Sequence, residues 1–418
     1  MNTSQTTLNV QSEVGKLEAV LTHYPGPEVE NMTPRNAQRA LYSDILNLSI
    51  ARKEYDQLMG VLNKFSKVYE VSDLLTQVLG KENLKEDLIR NICNIEHVPE
   101  YFDYLMDLSA SKLSKILIEG LPIKINTLTD FLREEYYALQ PLYNFYFTRD
   151  PSVIIGNNAL ICKMANSVRV RESLIMDAIF RSNLIFNTEV INSYELSVNN
   201  PKVMIEGGDV LVIREDILLI GNGVRTSAEG IDMLVKEFCK NGSGYKHVIV
   251  QQLPSSPESF IHLDMVFTML DTNTAMVYRP LIVESSPYQT VHMQIDNGKV
   301  VKISSERNIL SVTRKLGLEL EIVVCGGNAD EWDQEREQWH SGANFLALAP
   351  GKVISYARNI HTLEELNKKG YEIVPASDVI NEKYDLNKSG KCVVIIEGSE
   401  LPRGGGGPRC MTMPLLRS

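Results

Sequence analysis

The chain has 418 residues, of which 44% are hydrophobic and 23% are charged, so its composition is that of an ordinary globular protein. Its 53 acidic and 42 basic residues give a formal net charge of −11, which argues against nucleic acid and anionic membranes as partners. It shows no apolar signal segment and no run of 18 apolar residues, so we expect a cytoplasmic protein. Its length exceeds the roughly 250–300 residues at which a single core stops growing, which favours an insertion or a second domain.

The first third of the chain is predicted to be helical, from residue 33 to about 66 and from 72 to about 140. In the first stretch apolar residues recur at helical spacing, as at Tyr55, Leu58 and Leu62. The second stretch divides into short segments with one apolar stripe each, namely Asp73–Leu79, Leu84–Ile95, Tyr101–Leu108, Lys112–Glu119 and Leu128–Leu139. We interpret 72–140 as a small helical domain inserted into a larger domain formed by 1–71 and 141–418.

From residue 145 onward a pattern of short strands recurs about every 50 residues. A polar or acidic residue leads into a strand, a turn with Asn, Asp or Gly follows, and a second strand returns. Copies of the pattern start near Gly15, Asp150, Glu206, His262 and Asn344. Repeats of this length suggest modules around a common axis, where equivalent positions would meet. The chemically active residues expected at that axis are Asp150, Glu206, Asp209, His262 and Asp264.

Several carboxylates at one centre repel each other and need a cation between them. A metal ion would need a larger ligand cluster than this single histidine indicates, since the sequence has no HxxxH pair. A guanidinium fits better, because its planar set of N–H donors matches carboxylates. His262 and Asp264 are two residues apart, so on a strand their side chains share one face. We therefore expect a site for a guanidinium compound, without a metal or a cofactor.

The carboxyl-terminal tail carries four glycines at 404–407, shortly before Arg409 and Cys410. Glycines let a backbone approach a ligand closely, so this tail could deliver a nucleophilic thiol on a lid. We expect Arg409 to lower the pKa of the adjacent thiol. A disordered tail with an incidental cysteine is the alternative that these residues alone leave open. No CxxC pair exists, and three other cysteines are predicted to be inert core residues, namely Cys162, Cys325 and Cys392.

Taken together, these residues resemble the motifs of bacterial arginine deiminases, within the guanidine-modifying superfamily. The matching segments run in order over nearly the whole chain and are Ser12–Leu17, Asn144–Asp150, Glu206–Asp209, Gly221–Ser227, His262–Asp264, Glu335–Trp339 and Gly406–Pro414. The resemblance implies an α/β fold, a five-module α/β-propeller of the pentein type with an inserted helical bundle. It also implies an enzyme that hydrolyses free L-arginine to L-citrulline and ammonia without a cofactor.

The resemblance also implies roles for individual residues. Cys410 would be the nucleophile that forms an amidino-thioether intermediate, His262 the general acid and base, and Glu206 the residue that orients His262. Asp150 and Asp264 would hold the guanidinium. The remaining implied positions are Asn144 and Phe147 in the substrate lining, Arg169 and Arg225 at the substrate α-carboxylate, and Glu13 and Asp209 as supporting acids.

One departure from the family pattern and two alternative functions stay open. Gly405 stands where the family commonly carries an arginine, which bears on lid closure and on the choice of substrate. The chain could be another guanidine-modifying hydrolase or an amidinotransferase acting on an arginine analogue. It could also be an arginine-binding protein without activity, although binding alone would not need Cys410. From its size we expect a homo-oligomer whose other partners are L-arginine and water.

Overall fold

Five β-sheets built on one plan make up the body of the chain. In each sheet two antiparallel strands form a pair, and a further strand runs parallel to one of them. These sheets are seen in a computed structural model that describes residues 6–34, 36–42, 44–132, 136–242 and 244–418. Within those residues, no helix combines the length and the apolar character that a membrane crossing requires.

The strands are numbered in chain order. They are β1 Thr6–Thr7, β2 Leu17–Thr22, β3 Lys67–Glu70, β4 Leu121–Pro122, β5 Tyr137–Leu139, β6 Ser152–Ile155, β7 Asn158–Ile161, β8 Phe186–Asn187, β9 Glu189–Asn192, β10 Val210–Arg214, β11 Ile217–Asn222, β12 His247–Gln252, β13 Phe267–Asp271, β14 Thr274–Val277, β15 Thr290–Asp296, β16 Lys299–Glu306, β17 Glu321–Val324, β18 Leu346–Ala349, β19 Lys352–Tyr356, β20 Glu372–Pro375, β21 Cys392–Ile396 and β22 Met413–Arg417.

The α-helices lie mostly between the strands of each sheet or in the segment from 71 to 132. They are α1 Pro27–Glu30, α2 Leu48–Phe65, α3 Val71–Leu79, α4 Glu82–Ile95, α5 Phe102–Met106, α6 Ala110–Glu119, α7 Leu128–Leu132, α8 Val170–Arg181, α9 Ser193–Leu196, α10 Ala228–Asn241, α11 Arg279–Ile282, α12 Ile309–Lys315, α13 Glu331–Trp339, α14 Ile360–Lys368 and α15 Ala376–Ile380. Short 3-10 helices are Pro99–Tyr101, Ser167–Arg169, Gly207–Asp209, Glu258–Phe260, Leu263–Met265 and Leu401–Gly404.

The five sheets follow one another around a ring. Their strand orders are β22-β2-β3, β6-β7-β9, β10-β11-β12-β15-β16, β13-β14-β17 and β18-β19-β21-β20. β22 lies beside β6, and β18 lies beside both β13 and β2. The 3-10 helices Gly207–Asp209 and Leu263–Met265 contact each other, which links the third and fourth sheets. The pairing of β2 with β22 joins the two ends of the chain, and the predicted five-module propeller is confirmed.

The predicted helix from residue 33 is wrong over its first part. Helix α2 begins at Leu48, and the segment before it forms turns in which Leu41 has a φ of 67°. The start is fixed by Asn47, whose side-chain oxygen accepts hydrogen bonds from the backbone N–H groups of Ser49 and Ile50. This capping satisfies donors that a helix leaves free at its first turn, so the helix begins there.

The predicted helix over Leu128–Leu139 is also wrong at its end. Helix α7 ends at Leu132, and Tyr137–Leu139 is the strand β5, which pairs antiparallel with β4. The local pattern favours a helix here, but pairing with a strand some 16 residues earlier in the sequence stabilises the extended conformation instead. Leu75, Ile89 and Leu117, from the helices that precede it, share one apolar core with Ile154 of β6. The division into domains at 71/72 and 140/141 stays a prediction.

Candidate active site

Each of the five sheets contains an antiparallel pair of strands, and a short segment precedes one strand of that pair. The candidate site lies where these five segments come together. These segments supply Cys410 before β22, Asp150 before β6, Glu206 and Asp209 before β10, His262 and Asp264 before β13, and Asn344 before β18. The backbone N–H of Gly207 donates to the carbonyl of Asp150 at 3.0 Å, so neighbouring modules are bonded to each other at the site itself. All seven side chains are buried.

His262 is held as a charged imidazolium by two carboxylates. Its Nε2 lies 2.9 Å from Oε2 of Glu206, and its Nδ1 lies 3.6 Å from Oδ1 of Asp150. Burial alone would lower the pKa of His262, but these carboxylates outweigh it and raise the pKa to about 9. Burial likewise opposes ionisation of Glu206, yet the hydrogen bond from His262 and the charge of Arg225 lower the pKa of Glu206 to about 2. The pair can therefore store a proton at neutral pH.

Asp150 is bonded by a guanidinium of the chain itself. Nη1 of Arg169 donates to Oδ2 of Asp150 at 2.6 Å, while Nε and Nη2 of Arg169 donate to Glu172 at 3.0 and 2.8 Å. The other oxygen of Asp150, Oδ1, has no hydrogen-bond partner among the described residues. Arg169, which the sequence places at a substrate carboxylate, thus lies directly on the predicted guanidinium-binding acid.

Asp264 has the same kind of partner. Nη1 of Arg409 donates to Oδ2 of Asp264 at 2.7 Å, and Nε and Nη2 of Arg409 each lie 3.0 Å from an oxygen of Glu13. Burial would raise the pKa of Glu13, but Arg409 and Arg149 lower it to about 2. Glu13 is therefore an acid that supports Arg409, one layer away from the thiol.

The thiol of Cys410 lies between an amide and a carboxylate. Its Sγ is 3.1 Å from Nδ2 of Asn344 and 3.5 Å from Oδ2 of Asp264. The charge of Arg409 lowers the pKa of this thiol, as expected, but other contributions outweigh it. Burial and the charges of Asp264 and Asp150 raise the pKa well above its usual value, because the charge of Arg409 is already matched by carboxylates. The raised pKa favours the neutral thiol over the thiolate.

Two glycines show how closely the backbone packs here. A Cβ on Gly208 would lie 2.6 Å from Nδ1 of His262, which no real side chain tolerates, so the glycine pair after Glu206 makes room for the imidazole. Gly405 has a φ of 87°, in the left-handed region that favours glycine, and a Cβ there would meet no atom within 4 Å. The position where the family commonly has an arginine is thus open in space but costly for any side chain in this backbone conformation.

The remaining predicted residues surround the thiol and the imidazole. Asn144 donates through Nδ2 to the carbonyl of Ala40 at 2.8 Å, and Phe147 is buried. Arg225 lies 3.6 Å from Glu206, with 12% of its side chain exposed. Asp209 accepts a hydrogen bond from the backbone N–H of Leu263 at 2.9 Å and does not line the cavity. Burial raises the pKa of Asp209 to about 7.

A small cavity of about 30 Å³ lies between these residues and opens towards a wider one of about 330 Å³. Leu41, Arg225, Ile261, Gly404 and Gly405 line both cavities. Since one water molecule needs about 10–15 Å³ of such space, the volume of the inner cavity corresponds to about two water molecules. An arginine side chain enters only if the side chains or the glycine loop move.

Asp150, Glu206 and His262 could also hold a metal ion, because one ligand atom from each lies within 4.8 Å of the others. Each of the three residues already has a partner within the chain. The imidazole is hydrogen-bonded to Glu206, and Asp150 is bonded by Arg169. The donor set of one histidine and two carboxylates would suit a divalent cation. However, Arg169 and His262 already pair with the two carboxylates.

Asn344 is the residue at this site that the sequence predictions missed. It occupies the position before β18 that Asp150, Glu206 and His262 occupy before their own strands. The repeat therefore contained the signal, since Asn344 begins the fourth copy of the pattern. An uncharged amide does not by itself indicate catalysis, so a search for acids and histidines does not find it.

Comparisons with known proteins cover almost the whole chain. The family model described as arginine deiminase matches residues 38–417. The chain is 33% identical over 425 residues to a curated protein named arginine deiminase from Listeria innocua. It is also 33% identical, over 427 residues, to one from Borrelia garinii. A third from Latilactobacillus sakei is 31% identical over 426 residues. Each of these alignments covers 98% of this chain and 98% of the relative.

Solved structures with the same fold are more distant in sequence. An amidinotransferase of saxitoxin biosynthesis from Microseira wollei is 14% identical, with a TM-score of 0.53 over 98% of this chain and 97% of that one. The N-terminal domain of a cyanobacterial arginine dihydrolase is 13% identical, with a TM-score of 0.52 over 96% and 98%. These likenesses show the fold alone. The family model and the curated relatives, whose matches extend over nearly the whole chain, show that the chain belongs to the arginine deiminase family.

Proposed function

We propose that this chain is an arginine deiminase, which hydrolyses free L-arginine to L-citrulline and ammonia. One observation carries the assignment. The two buried carboxylates beside the thiol, Asp150 and Asp264, are each bonded by a guanidinium of the chain, at 2.6 and 2.7 Å. A site that already pairs these acids with guanidinium groups is matched in charge and geometry to a guanidinium substrate.

In the first half of the reaction Cys410 attacks the central carbon of the guanidinium. The thiol passes its proton to a water molecule as the cation arrives, because a positive charge beside sulfur favours the thiolate. A carbon–sulfur bond forms, and the bond from that carbon to a terminal nitrogen breaks. The imidazolium of His262 gives its proton to the departing nitrogen, which leaves as ammonia. The product of this half is an amidino-thioether on Cys410.

In the second half water replaces the sulfur. The neutral His262 accepts a proton from a water molecule, whose oxygen attacks the same carbon. The carbon–sulfur bond breaks and its electron pair returns to sulfur as a thiolate. The new hydroxyl group gives its proton to water as citrulline is released. Glu206 keeps Nε2 of His262 in place through the 2.9 Å contact, so that Nδ1 stays turned towards Asp150 and the reacting groups. Asp150 and Asp264 bind the planar N–H donors throughout.

The substrate is proposed to be an α-amino acid because of Arg225. This guanidinium lines both cavities and is partly exposed, so it can meet a carboxylate that extends towards the wider opening. Agmatine, which lacks that carboxylate, would leave Arg225 without this partner. We further propose a cytoplasmic location, which six unpaired cysteines support, and a homo-oligomer, as is common for enzymes of this size.

The test is a measurement of ammonia and citrulline from the purified protein with L-arginine, beside agmatine and methylated arginines. We expect citrulline and ammonia in equal amounts from arginine and little from agmatine. Ornithine formed only when an amine acceptor is added would identify an amidinotransferase instead. Binding of arginine without either product would identify a binding protein and overturn the proposal.

A further inference from the structure

The amide of Asn344 touches the sulfur that the proposed reaction uses. We infer that Asn344 is a catalytic residue, whose side-chain N–H donates to Cys410 Sγ and stabilises the thiolate, while its carbonyl fixes the backbone that carries the cysteine. This inference rests on the proposed function only for the nucleophilic role of Cys410. Asn344 is fully buried and comes from a different module, 66 residues before the thiol.

The orientation of the amide is fixed by its other partners. The backbone N–H groups of Arg409 and Cys410 donate to its Oδ1, at 3.1 and 3.2 Å. These donors can only meet an oxygen, so Oδ1 and Nδ2 cannot exchange places. Nδ2 also lies 3.1 Å from the backbone carbonyl of Asp264, which accepts a hydrogen bond. For the second hydrogen of Nδ2, Sγ of Cys410 at 3.1 Å is a nearer acceptor than Sδ of Met265 at 3.6 Å.

The charges around the sulfur explain why a donor is needed there. Asp264 and Asp150 face the thiol with negative charge, and the positive charge of Arg409 is committed to Asp264 and Glu13. A thiolate in this setting is repelled by two carboxylates and is shielded from water. Besides the amide of Asn344, which contacts the sulfur, the backbone of Gly407 and the already paired Arg409 favour the charged form.

A neutral donor is also the right kind of group for this place. A lysine or arginine at position 344 would favour the thiolate more strongly, but it would repel a cationic substrate from the two carboxylates. An amide stabilises negative charge on sulfur without adding positive charge to the site. The same hydrogen bond serves twice, because sulfur becomes negative when the thiol ionises and again when it leaves the intermediate.

The test compares wild type with Asn344→Ala, and with Asn359→Ala as the matched control. Asn359 is a buried asparagine whose Nδ2 donates to the carbonyl of His340 at 3.2 Å, and it does not contact Cys410. Two quantities are measured. One is kcat and KM for arginine. The other is the rate at which iodoacetamide alkylates Cys410 as a function of pH, read from the mass of its peptide.

Since a hydrogen bond to a charged group is worth about 1.5–3 kcal/mol, kcat should fall roughly 10- to 100-fold in Asn344→Ala. The midpoint of alkylation should move about one pH unit upward or more. If Asn344 only held the loop, its loss would expose the thiol, and the midpoint would move down towards the ordinary value instead. A midpoint that moves down or stays, or a kcat within twofold of wild type, would overturn the inference.

A second variant covers the case in which Asn344→Ala does not fold. Asn344→Asp keeps the shape and an oxygen for the two backbone donors but replaces the N–H that faces sulfur. Alkylation at pH 8 should be at least tenfold slower than in wild type, and an unchanged rate would contradict the inference. Alkylation needs no arginine, so its outcome is independent of whether the wild-type protein releases ammonia.

Discussion

Replacing Glu206 with glutamine should shift the alkaline limit of activity towards neutral pH. Glu206 holds the imidazolium of His262 through a 2.9 Å contact inside a buried site, where the pKa of His262 is about 9. Relative to an ordinary value of about 6.5, that difference corresponds to about 3 kcal/mol in favour of the charged form. Glutamine keeps the volume but removes the charge, and burial then acts against the imidazolium with Asp150 and Asp209 as the remaining acids.

The size of the shift follows from the lost interaction. A hydrogen bond to a charged partner contributes about 1.5–3 kcal/mol, so a loss of about 2 kcal/mol lowers the pKa of His262 by roughly 1.5, to about 7.5. At pH 8 the charged fraction would fall from about 90% to about 25%, whereas at pH 6.5 it would fall only from about 100% to about 90%. Since the charged imidazole protonates the leaving ammonia, activity at pH 8 should drop about fourfold more than activity at pH 6.5.

The assay is kcat/KM for arginine between pH 6 and pH 10, in wild type, Glu206→Gln and Glu337→Gln. Glu337 is a matched control because it is also buried and accepts hydrogen bonds from Thr362, at 2.8 Å from the backbone N–H and 2.6 Å from Oγ1, away from the imidazole. Its replacement should leave the alkaline midpoint unchanged. If Glu206→Gln loses activity equally at every pH and keeps the wild-type midpoint, His262 does not act as the proton donor described here.

Cys410→Ser should abolish turnover and leave the circular dichroism spectrum unchanged, and substantial remaining activity would refute the covalent mechanism. Asp150→Asn and Asp264→Asn should each lower kcat/KM by at least 100-fold, because breaking a buried charge pair costs about 3–5 kcal/mol; near-normal turnover in either would refute the carboxylate clamp. Glu54→Gln should speed proteolysis of the glycine loop, since Glu54 accepts hydrogen bonds from the backbone N–H groups of residues 399–401, at 2.6–3.1 Å; an unchanged cleavage rate would show that this anchor is dispensable. Burial opposes the charged form of His23, but two carboxylates raise its pKa to about 10. A raised pKa of this kind contributes stability that is fully present below about pH 6.5 and is lost as pH rises through the folded-state value, so the thermal midpoint should fall between pH 7 and pH 10; a midpoint that is constant or rises over this range would contradict it.

The repeated strand pattern made the architecture predictable from the sequence. Each copy carries its own polar residue, turn and two strands, so local signals are enough to find β6 and β7 or β10 and β11. The pairing of β2 with β22 carries no local signal, since it joins segments almost 400 residues apart. It became predictable only through the requirement that a ring of modules must close. The wrong prediction of a helix from residue 33 has a different cause. The helical pattern was extended to the N-terminal side of Asn47, but the capping by Asn47 starts the helix at Leu48.

The chemistry of the site was less predictable than its membership. Arg409 lies next to Cys410 in sequence, which suggests that it activates the thiol. In the fold its guanidinium turns to Asp264 and to Glu13, which lies 396 residues earlier. Charges that are paired across modules cannot be read from neighbours in the chain. The role of Asn344 was hidden for a related reason, since only its three-dimensional partners distinguish it from any other buried amide.

The two arginines on the carboxylates determine how a guanidinium can bind. The inner cavity of about 30 Å³ is too small for an arginine side chain, and Asp150 and Asp264 are bonded to Arg169 and Arg409. Under the proposed function, binding of arginine would therefore exchange one guanidinium for another. Arg169 keeps its two bonds to Glu172 when it leaves Asp150, and Arg409 keeps its two bonds to Glu13 when it leaves Asp264.

This exchange would leave no buried charge without a partner, so it would avoid the free-energy cost of an unpaired buried charge. A carboxylate stripped of its partner in a buried site would cost about 3–5 kcal/mol, and so would a stripped guanidinium. Under the proposed function, the substrate would replace one N–H donor at each acid, and each displaced arginine would retain a second carboxylate. This exchange would give Glu13 and Glu172 a defined role, although neither acid contacts the substrate in the proposed reaction. They would hold the two arginines on Asp150 and Asp264 before the substrate arrives, and they would keep them charged and ordered after it has bound.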